Sequence, residues 1–373
     1  MTDRDDTPPV GGVLCAGKGT RMAPITDVIP KPLVPFLNAP MLAYSLDHLA
    51  RAGVSRVGMN LHHLADSVPP VADQLSAVMN IDPVYAREWE LLGTAGGVRG
   101  IWEALGKPDT TLIIFNGDTV MNLDLGAIVD DHRRSGAAAT VVGRVREEGK
   151  PGGVWVDGDR QLLGLRDFRH PDAPEKLQEF TFTGVHLLEP QLLETIPLEW
   201  GCMVGDIYGP YLEGGGHIHL AVQQNFWAGL DNPALLFEAT REVLENPTSF
   251  DQVPLPPALG EDLFVFENNG IDDKTLLAGP ILVGPHTETA PGVEVGPYSV
   301  IDGVTLTEGA SVNRSILYGM GRVEGQWQDC VAIAGKVANL PADQPPHDLA
   351  DGRQASVAYG KQLGTNNGRE TKI

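Results

Sequence analysis

The sequence predicts an α/β fold: an open, mostly parallel sheet with helices on both faces, then a shorter all-β region. Three observations carry this. Apolar runs alternate with helical patterns through the first 240 residues, the rhythm of βαβ units. A short apolar strand, Val10 to Leu14, runs into a loop holding Gly17 and Gly19. After residue 276, aliphatic residues recur at multiples of six with glycines and small polar residues between them, a period that suits a left-handed β-helix. The first arrangement is Rossmann-like, and ligands on such sheets collect beyond the carboxyl ends of the strands.

The elements follow in order. Asn38 is placed to cap a helix whose apolar positions Leu42, Leu46, Leu49 and Ala52 keep a helical period and stop at Gly53. Val54 to Leu61, Ile81 to Ala86 and Thr111 to Phe115 read as strands, with a helix from Ala95 to Leu105 before the last. Asp124 to Ser135 reads as a helix and Ala138 to Val145 as a buried strand. Strands dominate from Gly152 to Val222, where Val154 to Asp159 and Gln161 to Arg166 form a hairpin through Asp157-Gly158. Phe180 to Leu188 is a further strand and Pro233 to Leu244 a closing helix. Later, Val283-Gly284 and Val295-Gly296 stand twelve residues apart, and Ile301 lies six after Val295. The expected division is a domain at 1–246, a proline-rich linker at 247–264, a left-handed β-helix-like domain at 265–340 and a mobile polar tail at 341–373.

Composition narrows the function. A hydrophobic content of 42% supports a substantial core. No apolar run approaches the roughly 18 residues of a membrane span. Met1 to Pro9 is polar and acidic, unlike a secretory signal. Cys15, Cys202 and Cys330 are widely spaced with no Cys-x-x-Cys pair, which argues for a reducing cytoplasm and against structural zinc. The formal charge of −22 repels nucleic acid and anionic lipid, so neither is an expected partner. It would also repel a nucleotide unless local cations and a divalent metal reversed the sign at the site. A metal-dependent cytoplasmic enzyme is expected.

The loop after the first strand reads Leu14-Cys15-Ala16-Gly17-Lys18-Gly19-Thr20-Arg21-Met22, and Pro30-Lys31-Pro32 follows. Its glycines let backbone N–H groups close on phosphate oxygens, a following helix start adds its positive end, and Arg21 and Lys31 supply fixed charge. Gly-x-Gly alone is most often a tight turn, and this loop lacks the third glycine or the Gly-Lys-Ser/Thr of the two common phosphate motifs. Asn116-Gly117-Asp118 ends the aliphatic run Leu112 to Phe115, which sets a carboxylate at a strand's carboxyl end. Magnesium needs only one or two carboxylates beside substrate phosphates, although the tripeptide alone reads equally as a turn or helix cap. His62 and His63 point to opposite faces and read as structural. Trp89, Trp102 and Trp155 read as core or crevice walls.

The whole run Ala16 to Thr26, followed by Pro30 to Pro35, resembles the N-terminal motif of the sugar-phosphate nucleotidyltransferases, or NDP-sugar pyrophosphorylases. The resemblance implies an enzyme that joins a sugar 1-phosphate to a nucleoside triphosphate and releases pyrophosphate. It implies that Arg21 holds the β- and γ-phosphates, that Lys31 neutralises the α-phosphate and the incoming phosphate, and that Asp118 holds Mg2+. Leu14, Ala16, Gly17, Lys18, Gly19, Thr20 and Asn116 would contact the nucleotide. Leu92-Gly93-Thr94-Ala95-Gly96-Gly97 resembles the family's base- and ribose-contacting loop, which adds Gly93, Thr94 and Ala95. Its wording is closest to the mannose-1-phosphate guanylyltransferase branch and favours GTP with a mannose-1-phosphate-like sugar. Uridylyltransferases of amino-sugar phosphates carry related loops and are an alternative. Gly152-Gly153-Val154 and Thr183-Gly184-Val185 resemble sugar-contacting segments, giving Gly153, Thr183 and Gly184 as sugar-binding residues.

Two departures stand out. The family presents Trp-x-Asp-x-Gly-Thr-Pro before the closing helix, whereas this chain reads Trp227-Ala228-Gly229-Leu230-Asp231-Asn232-Pro233. Gly229 therefore replaces the second metal-binding Asp, and Asp231 either reaches the ion or caps the helix. Many relatives hold the sugar phosphate with a lysine, but Leu165 to His170 offers only Arg166 or Arg169. Gly229 also motivates a competing expectation, a nucleotide-sugar-binding regulatory subunit. Acyl transfer by the C-terminal coils is a third and weaker one, with His286 the histidine present there. Self-association into a homo-oligomer through the β-helix is expected, because a short solenoid leaves apolar ends or faces to cover.

Overall fold

Near-continuous apolar strands joined by amphipathic helices build the first half of the chain. In chain order these are Val10–Leu14 (β1), Met41–Arg51 (α1), Arg56–Leu61 (β2), Val68–Met79 (α2), Asp82–Arg87 (β3), Gly93–Ala104 (α3) and Leu112–Asn116 (β4). β1 runs parallel to β2 on one side and β4 on the other, and β2 runs parallel to β3. Thr119–Met121 (β5), Leu125–Ser135 (α4), Ala139–Val145 (β6), Val154–Val156 (β7), Leu162–Leu165 (β8) and Gln178–Leu188 (β9) follow. Ile218–Gln223 (β10), Trp227–Gly229 (β11) and Pro233–Glu245 (α5) complete the series. The long strand β9 is antiparallel to β4, β6 and β7, while β10 returns parallel to β6. The central sheet is thus mainly parallel with antiparallel additions around β9. Ile101 and Trp102 of α3, with Leu105 just beyond its end, bury against Ile114 and Val141 on one face. Leu42, Leu46 and Leu49 of α1 bury against Val13, Val57 and Phe115 on the other. Buried parallel strands need apolar residues on both faces, which is why these runs scarcely alternate.

The computed structural model describes residues 7–146, 153–166, 168–175, 177–252, 255–260, 262–341 and 357–358. They form two compact units, the first comprising the described residues up to Leu235 with Ser249–Gln252. The second comprises Leu236–Thr248 and the described residues beyond Gln252. Its strands form three parallel ladders. In one, Leu263–Val265, Ile281–Val283 and the start of Ser299–Leu306 lie side by side and continue to Ile316 and Val331. Leu276–Leu277, Glu294–Val295, Ser311 and Gln326 make the second ladder. Thr287–Thr289, Val304 and Gly321 make the third. Val283, Val295, Ile301, Leu306, Val312 and Leu317 fill the interior. At one end Lys336–Asn339 folds back antiparallel on Gln326–Ile333, and at the other Val357–Ala358 lies antiparallel on Leu276–Leu277.

Two local expectations need correction. Asn38 does not cap α1: it stands at φ 68 beside Leu37 at φ 47, in a tight turn pairing Phe36 with Ala39. Asn tolerates left-handed backbone as readily as it caps, and here the turn uses it. The hairpin between β7 and β8 does not turn on Asp157-Gly158 alone. The Asp157 carboxylate accepts from the N–H groups of Asp159 and Gln161, and Arg160 takes the positive φ of 63. The polar tail lies outside the described residues except for Val357–Ala358. Among the described residues, no helix is long and apolar enough to cross a membrane.

Candidate active site

β1 and β4 end side by side, with Leu14 opposite Asn116. The chain leaving β1 is pinned at once, because Cys15 N–H donates to Asn60 Oδ1 at 2.7 Å. No α-helix follows, contrary to expectation. Short 3-10 turns at Thr20–Met22, Ile25–Asp27 and Lys31–Leu33 succeed one another instead, so no helix dipole faces the loop. Gly19 adopts a left-handed φ of 61, and the Thr26 hydroxyl donates to its carbonyl at 2.9 Å. A Cβ at Gly19 would stand 2.8 Å from Thr26 Cγ2, so the turn excludes a side chain twice over. Ala16 is buried, whereas Gly17, Lys18 and Thr20 line the exposed edge.

Arg21, Lys31, Asp118 and Asp231 meet in one cluster. Lys31 Nζ lies 2.6 Å from Asp118 Oδ2 and 3.0 Å from Asp231 Oδ1. Arg21 grips Asp231 with two nitrogens, Nη2 to Oδ1 at 2.7 Å and Nη1 to Oδ2 at 3.0 Å. The lysine is 8% exposed, whereas the Arg21 side chain is 70% exposed. A two-stranded ribbon brings these distant residues together. β11 pairs antiparallel with β5, Gly229 opposite Thr119, and Leu230 N–H donates to the Asp118 carbonyl at 2.8 Å. Asp118 precedes β5 and Asp231 follows β11, so both carboxylates emerge at the same end. Asp231 is not the cap of α5, since Asn232 Oδ1 accepts from Leu235 N–H at 3.0 Å.

The donor set suits a hard cation. Asp118 and Asp231 present oxygens to a single ammonium, and oxygen ligands with substrate phosphates are what magnesium takes. Among the described residues, no three His, Cys, Asp or Glu side chains converge as a metal group of their own.

Residues 93–97, expected as a loop before a helix, form the start of α3 and are covered by the protein itself. Gly93 has φ 68, and an added Cβ would collide with the Gly201 carbonyl oxygen. Ala95 N–H donates to that carbonyl at 2.9 Å, Gly201 N–H donates to Leu92 O at 3.0 Å, and Thr94 Oγ1 accepts from Met203 N–H at 2.9 Å. Glu88 joins this loop to the phosphate loop. One of its oxygens accepts from Asn60 Nδ2 at 2.7 Å and the other from Leu92 N–H at 3.0 Å. Asn60, Glu88, Gly201 and Met203 are absent from the sequence-derived set. The signal for the first two is a polar residue in or beside a buried strand, which must find partners.

The expected sugar residues divide. Gly153 is described at φ 120, with its carbonyl accepting Arg166 N–H at 2.6 Å, while Gly152 lies outside the described residues. Gly184, at φ 90, sits beneath Asn116 and Thr119, where a Cβ would lie 2.8 Å from Thr119 Oγ1. Thr183 does not offer its hydroxyl to a sugar: it is fully buried and donates to Val142 O at 2.7 Å. The Thr183 carbonyl is also engaged, accepting from Trp227 Nε1 at 2.9 Å. Arg169 lies flat on Trp155, 3.4 Å from the ring centre, whereas Arg166 stands 5.9 Å from the Phe182 ring. His62 and His63 hydrogen-bond to the carbonyls of Glu88 and Thr26. Trp102 is buried, but Trp89 is 83% exposed and forms no crevice wall. Beneath the crevice, burial and then the Arg166 charge pull His186 down to about 3, and its Nδ1 pairs with the Tyr208 hydroxyl at 2.8 Å. Burial pushes the Cys15 thiol up, so it carries no nucleophile.

Residues 10–246 match the profile of the family described as "Nucleotidyl transferase". A UTP–glucose-1-phosphate uridylyltransferase of Synechocystis sp. is 28% identical over 94% of this chain and 95% of its own length. A mannose-1-phosphate guanylyltransferase of Mycobacterium tuberculosis is 26% identical over 81% of this chain and 82% of its own. One from Debaryomyces hansenii is 28% identical over 60% and 61%. The crystal structure of HddC from Yersinia pseudotuberculosis has the same fold, with a TM-score of 0.51 over 63% of this chain and 99% of that one, at 20% identity.

Proposed function

We propose, from the premise that this chain belongs to the nucleotidyl transferase family, that it joins a sugar 1-phosphate to a nucleoside triphosphate. The products are an NDP-sugar and pyrophosphate. The observation that carries the reading is the meeting of Arg21 and Lys31 with Asp118 and Asp231 beyond the ends of β1 and β4.

A sugar phosphate oxygen attacks the α-phosphorus in line, and the bond to the β-phosphate oxygen breaks. The protein positions the reactants and stabilises charge, with no covalent intermediate. Lys31, almost buried, is held where charge gathers on the α-phosphate and the incoming phosphate. Arg21, exposed at the rim, receives the departing pyrophosphate. Asp118 and Asp231 would hold magnesium, which when bound would supply positive charge to the phosphate oxygens. The Leu14, Ala16–Thr20 and Asn116 segment lines the phosphates, and Gly93 and Thr94 are assigned to the base, while Ala95, buried with its N–H on the Gly201 carbonyl, supports them from behind. Gly153 is assigned to the sugar, and Gly184 contributes by letting Asn116 and Thr119 settle close above it.

We assign GTP and a mannose-1-phosphate-like sugar, on the wording of the 92–96 loop and the guanylyltransferase relatives. A second reading, UTP with glucose 1-phosphate, is favoured by the uridylyltransferase relative that spans nearly the whole chain. The three parallel ladders of the second unit support a left-handed β-helix, and the homo-oligomer rests on the general need of a short solenoid to cover its ends or faces. The test is pyrophosphate release by the purified protein with each pairing of GTP or UTP and mannose or glucose 1-phosphate, with and without magnesium. Turnover above background for one pairing is expected; tight NDP-sugar binding without turnover in any would favour the regulatory subunit.

A further inference from the structure

Arg21 and Lys31, the two groups assigned to phosphates, already have carboxylate partners. The Arg21 guanidinium takes both oxygens of Asp231, the two-point geometry that makes such pairs strong. Asp231 Oδ1 also receives Lys31, which Asp118 holds from the other side at 2.6 Å. Two cations and two carboxylates therefore balance. Asp231 reaches this position through a local bend, its N–H donating to the Gly229 carbonyl at 3.0 Å. The carboxylate thus stands two residues beyond Gly229, directly over the exposed guanidinium.

We infer that Asp231 is an electrostatic latch that makes the site selective for the metal complex of a triphosphate over the free triphosphate. The inference rests on the function proposed above and deepens it. A free triphosphate must take Arg21 from a bidentate partner and then lie beside two carboxylates of its own sign, on a chain of net charge −22. When a divalent cation arrives with the triphosphate, the carboxylates exchange their guanidinium and ammonium partners for the ion. Arg21 and Lys31 are then released to the phosphates. Asp231 acts here as a specificity residue, set in front of the cation it controls.

The experiment is calorimetric titration with inorganic tripolyphosphate and with GTP and UTP, each in chelator and in magnesium. Three proteins are compared: the natural chain, Asp231→Asn, and Glu213→Gln, which removes one exposed charge away from the cluster. Asp231→Asn should bind metal-free tripolyphosphate about tenfold more tightly than the natural chain, the scale of a released charge-assisted pair. Glu213→Gln should stay within about twofold, as expected for a screened surface charge. No gain in Asp231→Asn, or an equal gain in Glu213→Gln, overturns the latch. Asp231→Gly gives the same comparison if the asparagine variant folds poorly. If the natural chain binds magnesium–GTP or magnesium–UTP while Asp231→Asn gains nothing, only the latch falls. If it binds no polyphosphate even with magnesium, the proposed function falls and takes the latch with it.

Discussion

Asp118 illustrates how a residue acquires a role from its neighbours. A carboxylate at the end of an aliphatic run could be a cap or a turn; Lys31 at 2.6 Å makes it part of a charge cluster. Replacing Asp118 by Asn keeps the shape and removes the charge, so turnover should fall about 10²–10³-fold, as for other preorganised electrostatic groups. Steady-state kinetics beside a melting curve checks this, and unchanged magnesium-dependent turnover would refute the assignment. Arg21, Lys31 and Asp118 were legible in the sequence because each sits in a contiguous motif. Asp231 was half legible: its two readings separate only once Asn232 is seen to take the cap. Glu88 and Asn60 were not legible, because their partnership spans three segments that only the folded sheet brings together. Thr183 was misread because a strand's alternation, not its motif, decides which way a hydroxyl points, and here it points inward.

At the scale of elements, the strands and helices named from the sequence lie within about two or three residues of those observed, because buried parallel strands and amphipathic helices leave strong periodic signals. The helix Val68–Met79 and the short strands Thr119–Met121 and Trp227–Gly229 were not named. What the periodicity lacked was tertiary contact. Helix α3 shows the difference, because two of its glycines look alike in sequence and differ in space. Gly93 has a left-handed φ of 68 and faces the Gly201 carbonyl, whereas an added Cβ at Gly100 would meet only Leu198 Cδ1 at 3.9 Å. Gly93→Ala should cost about 1–3 kcal/mol for forcing a side chain into that conformation. Gly100→Ala should instead stabilise by about 0.5–1 kcal/mol, the usual gain of Ala over Gly inside a helix. Opposite shifts in urea midpoint are the expected outcome; shifts of the same sign would mean that the 199–203 segment does not pack on this helix. The missing helix after the phosphate loop has a comparable cause, since Pro24, Pro30 and Pro32 restrict the backbone and the chain settles into short turns.

For the whole molecule, histidines govern the response to acid. Burial, then the Arg166 charge, lowers His186 from 6.5 to about 3. Burial is also the leading cause of the lowered values at His48 and His219. A folded value below the unfolded one means that the unfolded chain binds the extra proton between them. The stability these neutral rings provide is therefore complete above about pH 6.5 and declines as pH falls below it, for His186 down to about 3, by about 1.4 kcal/mol per pH unit for each proton. Urea unfolding between pH 7 and 4.5 should show this slope, and His186→Gln should reduce it by one proton; an unchanged slope would place the titration elsewhere. The ladders of the second unit carry a different consequence. A parallel stack left bare at its ends is a template onto which further chains can crystallise strand by strand, like a fibril seed. Here Lys336–Asn339 and Val357–Ala358 run against the grain on strands at opposite ends, so those strand edges are already taken and offer no parallel template to a further chain.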